Sequence, residues 1–232
     1  MTITLITGAN KGLGYETARQ LTEAGHTVWV GARSTDRGEK AASELGARFV
    51  QLDVTDDASV AEAMRTIEQR DGRLDVLVNN AGISGGTAAV EGVTGAALLA
   101  ALDTNAIGIL RVTQAALPLL EKSDNPVVVN VSSSFGSFWA VTNPERPVSR
   151  YPNLAYSTSK AAASMLTVQY AKALPHIKFN AVEPGHTATD LGPAGGGGQP
   201  VEKGAEVIVR MATIGKDGPT GTFQENGGVL PW

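Results

Sequence analysis

Tyr156 and Lys160 stand four residues apart in Tyr156-Ser157-Thr158-Ser159-Lys160, just ahead of an apolar run from Ala161 to Leu174 that reads as helix. Residues at that spacing share one helix face, so a phenol and an ammonium are aimed into the same space. A Tyr hydroxyl ordinarily ionises near ~10, too high for easy proton exchange at neutral pH. A positive charge ~4 Å away favours phenolate by up to ~4 kcal/mol at an effective dielectric of ~20. That lowers the phenol pKa by up to about three pH units. The expectation is an acidified Tyr156, able to give a proton to a carbonyl oxygen or to take one from an alcohol. The spacing alone describes an exposed pair on an amphipathic helix equally well. The elements that carry it must decide.

Those elements alternate. Strands are expected at Ile3–Thr7, Thr27–Gly31, Arg48–Leu52, Leu74–Val78, Val127–Val131, Lys178–Val182 and Thr220–Gln224. Helical spacing lies between them: Leu13, Ala18, Leu21 and Ala24, stopped at Gly25; a short helix after Asp36, which has capping-box spacing to Glu39; a helix capped by Thr55, with Asp56 and Asp57 in its first turn; a long Ala/Leu-rich run from Ala96 to Leu120; and Glu202–Ala212. Nearly all-apolar strands such as Leu74–Val78 are those of a sheet covered on both faces. The rhythm predicts an α/β fold, a doubly wound seven-stranded parallel sheet with helices on both faces, as one domain over residues 1–232. The only low-complexity stretch, about 191–200, reads as a Gly-rich mobile loop inside that domain.

Composition narrows the function. The 232 residues are 42% hydrophobic and carry a net charge of −4, which argues against nucleic acid or an anionic membrane as partner. There is no Cys, so disulfides, thiolate catalysis and thiolate metal sites are excluded. The opening residues lack a basic region followed by a long apolar core, so no signal peptide is read. No apolar run is expected to span a membrane, and a cytoplasmic protein is the expectation. No His/Asp/Glu cluster suggests a metal.

Between the first strand and helix stands Thr7-Gly8-Ala9-Asn10-Lys11-Gly12-Leu13-Gly14. Glycines allow a tight turn and a close approach to a pyrophosphate, which sits where free N–H groups and the dipole of a helix N-terminus favour anions. Dinucleotide binding in a Rossmann fold follows from that context. The second strand ends in Gly31-Ala32-Arg33-Ser34, with no acid placed to bind the ribose 2′-hydroxyl of NAD. Arg33, with Lys11 in the turn and Arg37 nearby, suits a 2′-phosphate, so NADP(H) is expected.

With these motifs on the page the whole chain resembles the short-chain dehydrogenase/reductase family. Thr7, Gly8, Gly12 and Gly14 match its glycine pattern. Leu52-Asp53-Val54 looks like its adenine-holding segment, and Asn79-Asn80-Ala81-Gly82 its motif after the fourth strand. Asn105 falls at its helix-borne catalytic Asn, Ser133 at its strand-end Ser, and Tyr156 with Lys160 at its YxxxK pair. Pro184-Gly185-His186-Thr187-Ala188-Thr189 resembles the segment that contacts nicotinamide. Within the family, the NADPH-dependent carbonyl reductases are most similar.

The resemblance implies reduction of a ketone or aldehyde. Hydride comes from NADPH, Tyr156 donates the proton, Ser133 orients the carbonyl oxygen, Lys160 holds the nicotinamide ribose, and Asn105 anchors a water that refills the proton. An alcohol dehydrogenase working oxidatively would use the same residues. A non-catalytic dinucleotide sensor is the alternative of another class, disfavoured because Tyr156, Lys160, Ser133 and Asn105 occur together. The interval from Ser133 to Tyr156 is longer than the family's usual one, an insertion within about 135–154. Family members often dimerise through the helices carrying Asn105 and Tyr156, and a longer insertion covers that surface in monomeric relatives, so monomer and homodimer both stay open. Phe135, Phe138, Trp139 and Leu191 are candidates to line an apolar pocket. His26 and His176 read as solvent-facing, and His186 as a possible substrate contact.

Overall fold

β-Branched runs such as Val127–Val131 cannot bury both faces without helices above and below, and the chain supplies them in alternation. In a computed structural model, which describes residues 1–86, 90–191 and 197–232, the expected strands form β1 (Ile3–Thr7), β2 (Thr27–Ala32), β3 (Arg48–Gln51), β4 (Val76–Asn79), β5 (Val127–Val131), β6 (Lys178–Glu183) and β7 (Thr222–Glu225). An eighth strand, β8 (Gly228–Val229), was not expected. The sheet order is β3-β2-β1-β4-β5-β6-β7-β8, with β1 to β7 parallel and β8 antiparallel to β7. The expected seven parallel strands are present; β8 escaped notice because two residues carry no readable period. Strand order reverses between β1 and β4, which opens a crevice at their carboxyl ends.

The helices are α1 (Gly12–Glu23), α2 (Thr35–Leu45), α3 (Asp57–Asp71), α4 (Gly95–Leu102), α5 (Gly108–Leu120), α6 (Phe138–Thr142), α7 (Leu154–Ala173) and α8 (Val201–Ala212). On one face of the sheet Val60, Ile67, Val112, Ala116 and Leu119 cover Leu5, Leu77, Val128 and Phe179. On the other, Ala18, Leu21, Val207 and Ile208 cover Ile6, Val30, Val78 and Val129.

Two capping expectations are corrected. Asp56, not Thr55, caps α3, accepting from the Ala58 and Ser59 N–H groups. Asp36 lies in the first turn of α2, whose N-cap is Ser34. In both cases the acid still faces the positive end of the helix.

The long run at 96–120 is not one helix. A π-helical turn, Asp103–Ile107, separates α4 from α5. By length and composition alone Gly95–Leu120 is apolar enough to cross a membrane, contrary to expectation. Here its apolar residues serve the core beside buried Asn105 and Thr113. Leu99, Ile107 and Leu110, with Met165 of α7, remain exposed.

The insertion is ordered. A 3-10 turn (Ser134–Gly136), α6 and a second 3-10 turn (Pro147–Arg150) dock Ala140 and Val148 on Phe223 and Leu230. Arg146 pairs with Glu225 at 2.6 Å, and the Trp139 N–H donates to the Trp232 carbonyl at 3.1 Å. Of the Gly-rich loop, residues 192–196 lie outside the described residues. Past them, Gln199 pairs with His186 and Ala188 through backbone hydrogen bonds.

Gly14 is where the turn is least tolerant. A Cβ there would stand 2.4 Å from Asn80 Nδ2, 2.7 Å from the Gly8 carbonyl oxygen and 2.9 Å from Ala9 Cα. Gly14→Ala is expected to lower stability by ~2 kcal/mol through backbone overpacking, and the melting temperature by ~4–8 °C for a chain this size. Thermal unfolding followed by circular dichroism checks it.

Candidate active site

The first turns of α7 place the chemistry. Asn153 caps the helix, its side chain accepting from the Tyr156 N–H. Tyr156 is half-buried and Lys160 is 3% exposed. As the spacing predicts, they share a face, the Lys160 ammonium lying 5.6 Å from the centre of the Tyr156 ring. Lys160 Nζ donates to the Val131 carbonyl oxygen at 2.7 Å, which anchors α7 to the end of β5. Ser133, just past β5, is 9% exposed, and its hydroxyl accepts from the Phe135 N–H at 3.4 Å. Phe135 meets the Tyr156 ring edge-on at 5.9 Å. Tyr156, Lys160 and Ser133 are thus brought together.

The expected acidification of Tyr156 is not what this geometry produces. Burial pushes the phenol up from its ordinary value, the negative charge of Glu183 pushes it further, and only the Ser133 hydrogen bond pulls the other way. Burial also lowers Lys160 to about 8. A fully charged ammonium at this spacing would acidify the phenol in a solvated setting, whereas here removal from water works against both charged forms.

Glu183, the last residue of β6, was missed by sequence reasoning. It is buried, accepts from the Ser134 and Gly185 N–H groups, and burial raises it above the usual carboxylate range. The available signal was an acid closing an otherwise apolar strand, one residue before the Pro184-Gly185 turn.

Asn105 sits in the π-helical turn, fully buried. Its Oδ1 accepts from the Ile83 N–H at 2.8 Å, while Nδ2 donates to the Ile83 carbonyl at 2.8 Å and to Ser159 Oγ at 2.9 Å. It locks the segment after β4 onto α7. A Cβ on Gly82 would stand 3.2 Å from Asn105 Oδ1 and 3.6 Å from Lys160 Nζ, so Gly82 keeps open the space both border.

On the cofactor side, Gly8 and Gly12 have φ of +66° and +58°, the left-handed region that favours Gly. The half-buried Asn10 lies between them. Lys11 caps α1 with its backbone alone, leaving the N–H groups of the first turn without a side-chain acceptor. A cradle of glycines over unsatisfied N–H groups fits a pyrophosphate. Asn80 holds the cradle in shape, donating from Nδ2 to the Thr7 carbonyl at 2.9 Å, while Thr7 Oγ1 accepts from the Asn80 and Ala81 N–H groups. Asn79 lies deeper, its amide on Thr113 and Asn130. Leu13 packs toward Gly204 of α8.

Arg33 is exposed at the end of β2 and lines a cavity of about 450 Å³ with Gln51, Asp53 and Ser59. Asp53 Oδ1 accepts from Thr55, and that hydrogen bond holds its carboxyl below the ordinary value. Val54 is buried against Gly108. Lys11 does not join Arg33: its ammonium reaches Asp190 at 2.7 Å. Thr189 stands over Gly12, Thr187 is buried and bonds the Gly185 carbonyl, and the Gln199 side chain donates to the Pro184 carbonyl. His186 is exposed and His176 pairs with Glu121. His26, expected to face solvent, is half-buried on Thr4 Oγ1 at 2.8 Å. Phe138 is exposed, and Trp139 lies under Arg146.

The sequence profile of the short chain dehydrogenases matches residues 2–195. The chain is 31% identical to a (+)-neomenthol dehydrogenase of Capsicum annuum, covering 94% of each chain over 297 aligned positions. That span exceeds the 232 residues here, so the pepper protein carries residues this chain lacks. Among solved structures, an NADPH-bound carbonyl reductase from chicken fatty liver superposes with a TM-score of 0.87 at 27% identity, each chain covered over 100%. Salutaridine reductase from Papaver somniferum superposes with a TM-score of 0.83 at 29% identity, covering 96% of this chain and 99% of its own.

The buried ammonium has a measurable signature. Burial holds Lys160 at about 8 in the folded chain against its ordinary 10.5, so between those values the unfolded state binds more protons and stability rises with pH. Below pH 8 the full cost of charging Lys160 is present. Lys160→Met lacks this dependence. Its stability relative to wild type is expected to fall by ~3 kcal/mol as pH rises through that window, measured by urea unfolding at several pH values.

Proposed function

This chain belongs to the short-chain dehydrogenase family, and on that premise we propose that it is an NADP(H)-dependent oxidoreductase that reduces a small ketone or aldehyde, with Tyr156 as proton donor. The observation that carries the reading is the meeting of Tyr156, Ser133 and Lys160 beside the crevice at the ends of β1 and β4. Bound NADPH would supply the hydride. Gly8 and Gly12 with the free first-turn N–H groups of α1 would hold its pyrophosphate, and Arg33 its 2′-phosphate. Likeness to a protein solved with NADPH, and the absence of an acid at the end of β2, support the cofactor.

Ser133 would orient the carbonyl oxygen by hydrogen bond. Tyr156 would then deliver its proton to that oxygen as negative charge develops there. Its position above the ordinary value means that it carries the proton at neutral pH, the state reduction requires. Lys160 would hold the nicotinamide ribose while fixed to Val131. Asn105 would set the water that returns the proton, from the turn it locks. Phe135 lies against Tyr156 and would give the carbonyl compound an apolar wall. The relatives named as a neomenthol dehydrogenase and a salutaridine reductase support a carbonyl compound or alcohol as substrate.

Tyr156→Phe is expected to reduce NADPH consumption with a panel of activated ketones by at least ~100-fold, while leaving NADPH binding, read by Trp fluorescence, unchanged. Turnover that survives this change would remove Tyr156 from the mechanism. Arg33→Ala is expected to raise KM for NADPH by ~10-fold or more through loss of a charged hydrogen bond, with KM for NADH unaffected. Steady-state kinetics with both cofactors separates the two outcomes.

A further inference from the structure

Arg111 lies near the start of α5, just past Asn105, and its guanidinium joins three segments. Nη1 donates to the Val54 carbonyl at 3.2 Å and pairs with Asp103 at 2.8 Å, while Nε pairs with Asp57 at 2.9 Å. Val54 follows β3, Asp57 opens α3, and Asp103 opens the π-helical turn that carries Asn105. The Arg111 side chain is 21% exposed, so solvent and salt screen these contacts only in part.

A second contact joins α5 to Val54 without any charge. Gly108, the residue after the π-helical turn, packs so closely that a Cβ there would stand 2.9 Å from Val54 Cγ2 and 3.3 Å from the Val54 carbonyl oxygen. Gly108 and Arg111 share one face of α5, so Val54 is gripped by its side chain and by its carbonyl from the same helix. Beyond the turn, Asn105 holds the backbone of Ile83 and the hydroxyl of Ser159, next to Lys160 on α7. Contacts therefore run without a break from the segment after β3 to the helix that bears Tyr156 and Lys160. At the other end, Asp53 lines the cavity that Arg33 borders. A ligand with its 2′-phosphate on Arg33 carries adenine on the same ribose, within reach of Asp53 and Val54.

We propose that Arg111 is a positioning residue which, with Gly108, fixes the Val54 backbone to the turn that carries Asn105, so that the adenosine end of the cofactor site and the catalytic turn are held as one body. The proposal rests on the NADP(H) reading above. A positive charge alone would attract phosphates but would not order Val54. The guanidinium does, because its donors point in fixed directions and reach a carbonyl and two carboxylates at once. Releasing that grip displaces both ends of the chain of contacts: the adenosine half loses its wall, and Asn105 loses its alignment with α7. Misplacement by about 1 Å at a distance from the chemistry is enough to slow turnover.

The test compares wild type with Arg111→Met, Arg111→Lys and Gly108→Ala by two readouts: the Kd of 2′,5′-ADP from calorimetry, and kcat for an activated ketone at saturating NADPH. Arg111→Met removes the guanidinium, whereas Gly108→Ala pushes Val54 away and leaves every charge in place. Both are expected to raise the Kd of 2′,5′-ADP by ~10-fold and to lower kcat by ~10-fold. Arg111→Lys, which keeps the charge but not the fork, is expected to lie nearer Arg111→Met than wild type. An unchanged Kd in the folded variants overturns the proposal. A raised Kd with kcat intact overturns the link to the Asn105 turn, and a wild-type Arg111→Lys reduces Arg111 to a simple charge and overturns it as well. Thermal unfolding shows which variants fold. If Arg111→Met does not, Gly108→Ala carries the measurement, and failure of both marks a brace of the fold alone and sinks the idea. Wild type that binds no 2′,5′-ADP overturns the cofactor reading together with this proposal, whereas wild-type binding that the variants leave unmoved overturns only the role of Arg111.

Discussion

The site depends on an ammonium held out of water. Lys160 is 3% exposed, and its ammonium donates to the Val131 carbonyl. A cation in such a place is costly unless a negative charge answers it. The carboxyl group of Glu183, at the neighbouring strand end, only partly opposes that cost. Burial draws Lys160 down, raises Glu183 and raises Tyr156. Each of the three is displaced toward its neutral form, as a shared loss of solvation requires. Groups so displaced cluster at sites of proton transfer, and these three gather about the ends of β5 and β6, Lys160 on Val131 and beside Tyr156, Glu183 on the Ser134 N–H.

The sheet makes that cluster possible. Ser133 follows β5 and Glu183 ends β6, which pair in register from Val127↔Lys178 to Val131↔Val182. Parallel neighbours of similar length deliver their carboxyl ends to one rim. The α7 helix then crosses that rim with Tyr156 and Lys160 on its inner face. On the other side of the switch point, Asn80 ties the end of β4 to Thr7 and Gly8, so the glycine cradle and the catalytic rim form one continuous edge. The same close fit leaves no room for a side chain at Gly14.

The insertion shows how a local addition changes the rim without altering the sheet. It docks on β7 and the residue after β8 through Ala140, Val148, Phe223 and Leu230, with Arg146 fixed to Glu225. Phe135, at its start, is carried against Tyr156. Across the rim, Lys11 of the glycine turn is joined to Asp190 beyond the Pro184-Gly185 turn. An exposed pair of this kind contributes little stability, but it bridges two segments that flank the crevice.

What could be read from the residues was what depends on neighbours along the chain. Strand–helix alternation, the glycine turn and the Tyr156–Lys160 spacing each follow from local periodicity or backbone geometry, and the parallel strands from β1 to β7 lie where those patterns put them. Strand ends and caps drifted by a residue or two, as at Asp56, because several acids near a helix start can serve the same field. Only the folded chain could decide the protonation of Tyr156. Desolvation depends on everything packed around a group, and Glu183, distant along the chain, is brought onto the Ser134 N–H by the pairing of β5 and β6. For the same reason Lys11 turned to Asp190 rather than to Arg33, and Asn105 closed on the backbone of Ile83. Periodicity is written residue by residue, whereas charge and solvation are properties of the assembled interior.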